Sequence, residues 1–110
     1  MIFLKSKKVD INMKFVNEIV KSYFSCIRSN NFVLSCSEIS ELLRYSLCRL
    51  LGLKAKGYSS KICSLSDIVV DSLSGLFNNY NISDLTNEYK SGLLEACVHC
   101  MEMSRKQVLN

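Results

Sequence analysis

The stretch L-S-D-I-V-V, residues 65–70, decides how this chain is read. As a helix, it starts a run in which Leu65, Ile68, Val69, Leu73, Leu76 and Phe77 recur at intervals of three and four, the spacing of one helical face. Extended by D-S-L (Asp71, Ser72, Leu73), it is also a loop that could present Ser72 for modification. The choice between the two depends on the flanks.

Upstream, Asp10 or Asn12 can cap a first helix whose apolar positions are Phe15, Val16, Ile19, Val20, Tyr23, Phe24 and Ile27. Ser29, Asn30 and Asn31 end it, because Asn tolerates the left-handed conformation. Phe32, Val33 and Leu34 make a short extended link. Ser35 or Ser37 then opens a second helix, with Glu38 in the first turn, where the helix dipole favours an acid. Its stripe is Ile39, Leu42, Leu43, Leu47, Leu50 and Leu51. Gly52 and Gly57 each cost about 1 kcal/mol relative to Ala in a helix interior. The helix therefore either stops near Leu53 or runs to about Lys61 with tertiary support.

Downstream, Ser64 or Ser66 caps the short third helix, and Asn78, Asn79 and Asn81 close it. Ser83 or Asp84 starts a last helix with the stripe Leu85, Tyr89, Leu93, Ala96, Cys97, Cys100 and Met101. No proline and only four glycines in 110 residues suit an all-helical chain with short connections.

The first residues, M-I-F-L-K-S-K-K, are too short in apolar character for a secretory signal. No run approaches the roughly 18 apolar residues of a membrane span. The expectation is an intracellular chain with six reduced cysteines. The net charge of +4 is unevenly spread, with Arg44, Arg49, Lys54, Lys56 and Lys61 forming a stretch free of acids between Glu41 and Asp67. A solvated helix face accounts for it; the sharper reading is weak DNA contact through Lys54, Lys56 and Lys61. Such contact would show steep salt dependence.

C-V-H-C, residues 97–100, is half of a zinc pattern without a second close pair. Buried structural cysteine is the favoured reading, since Cys97 and Cys100 share the face of Leu93 and Met101. His99 is the only histidine and belongs to no recognisable nucleophile motif. No glycine-rich phosphate loop and no defensible carboxylate pair occur. The chain is therefore expected to be non-enzymatic, with no catalytic residue, cofactor or metal.

Residues 19–90 resemble the histone-fold TBP-associated factors of TFIID, of the subunit 8 type. The similar pieces are A-K-G-Y at 55–58, S-L-S-D-I-V-V at 64–70 and G-L-F-N-N-Y-N-I-S-D-L-T-N-E-Y-K at 75–90. The second loop is about three residues shorter than in that family, and the proline before the third helix is missing. The resemblance implies a histone fold over residues 12–82, preceded by a basic tail (1–11) and followed by a C-terminal helix (83–110). It implies a nuclear protein that scaffolds RNA polymerase II initiation, paired with a histone-fold chain resembling TFIID subunit 10. Leucines around more than one side of helix two, wider than a lone surface helix requires, agree with a mating face. The expected partner-facing residues are Phe15, Ile19, Tyr23, Leu42, Leu43, Leu47, Leu50, Leu51, Ile68, Val69 and Leu73.

A rival resemblance is to acyl and peptidyl carrier proteins. L-L-R-Y-S-L-C-R-L-L-G-L, residues 42–53, followed by the D-S-L segment, is similar to a carrier's first helix and attachment loop. Ser72 would then hold phosphopantetheine, at a helix N-terminus where backbone N–H groups meet its phosphate. A break of helix two at Gly52 favours this rival, and a continuous helix favours the histone fold.

Overall fold

In the computed structural model, which describes residues 10–109, and side chains to residue 105, the chain is all-α. Helix α1 spans Met13–Ser29, α2 Cys36–Leu51, α3 Ser60–Phe77 and α4 Asn87–Leu109. A single 3-10 turn, Ile82–Asp84, stands between the last two.

Local chemistry sets the boundaries. The Asn12 side chain accepts the Phe15 N–H at 3.2 Å. Asn31 takes a left-handed φ of 55° just after α1. Ser35 and Glu38 form a reciprocal capping box at the start of α2. Gly52 ends α2 with φ 74°, a conformation that costs an L side chain energy but not glycine. Helix two therefore stops at Leu51 and does not run to Lys61. Two expected caps move. Ser59, not Ser64 or Ser66, accepts the Ile62 N–H and opens α3. Thr86, not Ser83 or Asp84, accepts the Tyr89 N–H at 3.0 Å and opens α4.

The side-chain contacts fix the directions. Phe15 meets Phe77, and Cys26 meets Ser72, so α1 and α3 run in opposite senses. Ser46 meets Ser66, and Arg49 meets Asp67, so α2 and α3 run the same way. Asn17 meets Cys100, and Ser40 meets Glu102, so α4 lies along α1 and against α2. Two parallel neighbours joined in sequence need a returning link. Residues 53–59 supply it: seven extended residues reach about 25 Å at ~3.3–3.6 Å each, enough to retrace the ~24 Å of a 16-residue helix. Leu53 and Ala55 turn inward on this strap, while Lys54 and Lys56 face solvent.

One core serves all four helices. It holds Phe15, Val16, Ile19, Val20 and Tyr23 from α1, and Leu42, Leu43, Leu47 and Leu51 from α2. Ile62, Val69, Leu73 and Phe77 come from α3, and Leu93, Leu94, Cys97, Val98 and Met101 from α4. The C-terminal helix is thus part of the bundle. The residues expected to face a partner fall mostly within the chain's own core. Phe15, Ile19, Tyr23, Leu42, Leu43, Leu47, Leu51, Val69 and Leu73 are buried within the chain's own core. They come from α1, α2 and α3 and form one cluster with Leu93, Cys97 and Met101 of α4. Of the eleven residues, only half-buried Leu50 and exposed Ile68 lie outside that core.

Candidate functional site

A cleft of about 310 Å³ opens between the C-terminal half of α1 and the middle of α3. Ser22, Ser25, Cys26, Ser29, Asn30 and Ser72 line it. Ser22, Ser25 and Ser29 are spaced by three and four, so α1 presents its hydroxyls as one stripe beside the apolar face. Ser72 Oγ donates to Cys26 Sγ at 3.3 Å across the helix pair. Asn30 Nδ2 donates to the Cys26 carbonyl at 2.9 Å and lies 3.6 Å from its sulfur. The lining is polar and uncharged, and it offers donors and acceptors side by side.

Ser72 lies in the interior of α3, which opens at Ser60. A hydroxyl there does not face the free N–H groups of a helix N-terminus, as a phosphopantetheine attachment requires. The carrier reading of Ser72 is therefore withdrawn, although α2 does end at Gly52.

The basic stretch is largely paired. Arg44 makes a two-pronged contact with Glu95 at 2.7 and 3.2 Å, tying α2 to α4. Arg49 reaches Asp67 at 2.8 Å and Ser66 at 3.1 Å. Lys61 Nζ bonds both Glu38 oxygens and the Val33 carbonyl, so it clamps the α1–α2 link onto α3. Of the three lysines expected to touch DNA, Lys54 and Lys56 face solvent on the strap, and Lys61 is engaged within the chain.

The cysteines are free among the described residues. Cys97 is buried, and burial pushes its thiol up to about 12. Cys100 is half-buried and donates to Asn17 Oδ1 at 3.5 Å, while His99 faces solvent. No group of three metal-ligating side chains gathers among the described residues.

Every resolved titration shift moves away from neutrality. Burial raises Tyr23, Cys48, Tyr58 and Cys97. A hydrogen bond with Cys63 raises Tyr45. The Ser35 backbone N–H lowers Glu38, and the Arg44 guanidinium lowers Glu95 while Glu95 raises Arg44. Each of these groups is held more firmly in its resting protonation state.

The hydroxyl stripe and the cleft escape a reading built on apolar periodicity. The signal in the sequence is the three-and-four spacing of Ser22, Ser25 and Ser29 alongside the apolar face. No helix among the described residues is long and apolar enough to cross a membrane. No protein-family model, curated protein or solved structure matches the chain.

Proposed function

We propose that this chain is a non-enzymatic helical binding module that presents the α1–α3 cleft to a protein partner. One observation carries the reading. The α1–α3 cleft of about 310 Å³ gathers Ser22, Ser25, Cys26, Ser29, Asn30 and Ser72 into one polar, uncharged opening. Its hydroxyls and amide both donate and accept and so suit the backbone or side-chain amides of a protein segment.

The narrower form of the proposal is a nuclear histone-fold subunit of a TFIID-like initiation complex, paired with a chain resembling TFIID subunit 10. It rests on the wording of residues 55–58, 64–70 and 75–90. A partner meeting Leu42, Leu43 or Leu47 would have to displace helices of the chain's own bundle. A partner using the outer surface would meet the cleft, Ile68 and the strap lysines instead.

Light scattering on the purified chain, alone and co-expressed with a subunit-10-like protein, tests both forms. The module reading expects a folded monomer alone, and a complex weakened by Ser25→Arg or Ser72→Arg at the cleft. A chain that is soluble only with that partner, in a complex indifferent to both substitutions, would overturn the cleft reading in favour of the intimate histone-type dimer.

A further inference from the structure

Residues 53–59 lie outside any helix. Along the first four, burial alternates: Leu53 and Ala55 are half-buried against the core, and Lys54 and Lys56 are exposed. A period of two is the side-chain pattern of an extended chain, whose N–H and C=O groups point sideways, between its two faces. Among the described residues, no backbone N–H of residues 54–58 donates to another backbone group. The run is fastened at both ends. The Leu53 N–H donates to the Cys48 carbonyl at 2.8 Å. At the other end Gly57, at φ 89°, breaks the alternation, and the Tyr58 ring packs 4.9 Å from that of Tyr45. The Cys63 thiol reaches the Tyr58 carbonyl at 3.9 Å.

Charge singles out the same four residues. The neighbouring cations are paired: Arg44 with Glu95, Arg49 with Asp67 and Lys61 with Glu38. Lys54 and Lys56 enter no ion pair among the described residues, and no acid occurs in the sequence between Glu41 and Asp67. An extended run with unpaired main-chain groups is a template for another strand. The two lysines decide which strand. A second copy of the run would set lysine against lysine, and like charges directly opposite are destabilising. A strand with acids at alternate positions would meet both lysines on the same face.

We propose that residues 53–56 are a docking edge for an extended acidic peptide segment of a partner protein. The segment adds to the strap by main-chain hydrogen bonds and sets its acids opposite Lys54 and Lys56. The lysines supply attraction and register, and the main chain supplies affinity. Fastening at both ends holds the edge in place before the peptide arrives, which lowers the ordering cost of binding. The edge shares no residue with the α1–α3 cleft, so it stands or falls apart from the binding reading above.

The test titrates the full chain with a short capped peptide of alternating Glu and Thr and follows backbone amide exchange by NMR. In the free chain the amides of residues 54–58 are expected to exchange near the unprotected rate. Saturating peptide should slow at least one amide of residues 54–56 by ~10-fold or more and leave the helix amides unchanged. The same peptide with N-methylated backbone, or one alternating Lys and Thr, should bind at least ~10-fold more weakly. Lys54→Glu with Lys56→Glu, both on the exposed face, should reverse the preference between the acidic and the basic peptide, whereas Ser25→Arg at the cleft should leave it unchanged. Slow exchange of these amides in the free chain would overturn the proposal, as would saturation without added protection or binding indifferent to N-methylation. Displacement of the peptide by a tighter-binding oligothymidylate would assign the lysines to nucleic acid and overturn it as well.

Discussion

The Ser46 and Ser66 hydroxyls meet at 3.0 Å where α2 packs on α3, and neither residue has exposed surface. Small side chains let the two helices approach, and each hydroxyl is the other's partner in a dry contact. Arg49 extends the pair outward by donating to Ser66 and Asp67. Removing the Ser66 hydroxyl strands that of Ser46, whereas Ser66 without Ser46 keeps Arg49. Ser66→Ala is expected to cost ~1–3 kcal/mol, Ser46→Ala less, and the two together less than the sum of the singles. Urea unfolding of the four-member cycle measures the coupling, and strict additivity would show that the contact contributes nothing.

Gly52 gives a test whose sign separates two architectures. In a continuous helix, Gly52→Ala would stabilise the chain by about 1 kcal/mol. At φ 74°, alanine is strained, and the same substitution is expected to destabilise by about 1 kcal/mol. A thermal or urea melt of this one variant decides whether α2 ends where the strap begins.

The helical class and most buried positions were readable because α1 and α2 carry uninterrupted three-and-four stripes: Phe15 to Ile27, and Leu42 to Leu51. Two features hid the rest. The α3 stripe is Ile62, Ser66, Val69, Leu73 and Phe77, and its second member is a serine. A reading by hydropathy slides to Leu65 and Ile68 and starts the helix late. The strap was hidden because Leu53, Ala55 and Tyr58 look like fragments of a helical stripe, yet they lie outside any helix and are half-buried against the core. The cleft was unreadable for a third reason. Ser72 and Cys26 are 46 positions apart, and only the antiparallel packing of α1 on α3 brings them together.

Buried groups that keep their protons make the fold sensitive to alkali. Cys97 is raised from 9.0 to about 12 by burial, and burial raises Tyr23 as well. The unfolded chain loses these protons first, so the stability they contribute is complete below pH ~9 and falls as pH rises toward the folded values. The slope is roughly 1.4 kcal/mol per pH unit for each such group. Tm measured at pH 8, 10 and 11 should fall steeply, and Cys97→Ala should flatten the fall. At the acid end the sign reverses. Glu95, lowered by Arg44, stabilises above the ordinary carboxylate range, and that contribution is lost as pH drops through its folded value. Both partners are more than a third exposed, so solvent screening limits the effect to a fraction of a kcal/mol, ~0.5.

Residues that looked like one mating surface divide sharply when the chain is studied alone. Leu47 has no exposed surface, and Ile68 is 39% exposed. Leu47→Ala leaves a cavity in the shared core and is expected to cost ~2–5 kcal/mol in the isolated chain. Ile68→Ala trims a partly exposed side chain outside the core and is expected to change stability by no more than ~1 kcal/mol. If both lay on a face awaiting a partner, the lone chain would tolerate the two alike and lose only association. Urea unfolding of the two single variants, with light scattering to fix the oligomeric state, distinguishes these outcomes. A marked difference in midpoint at unchanged monomer mass is the expected result, because the bundle fills its own core.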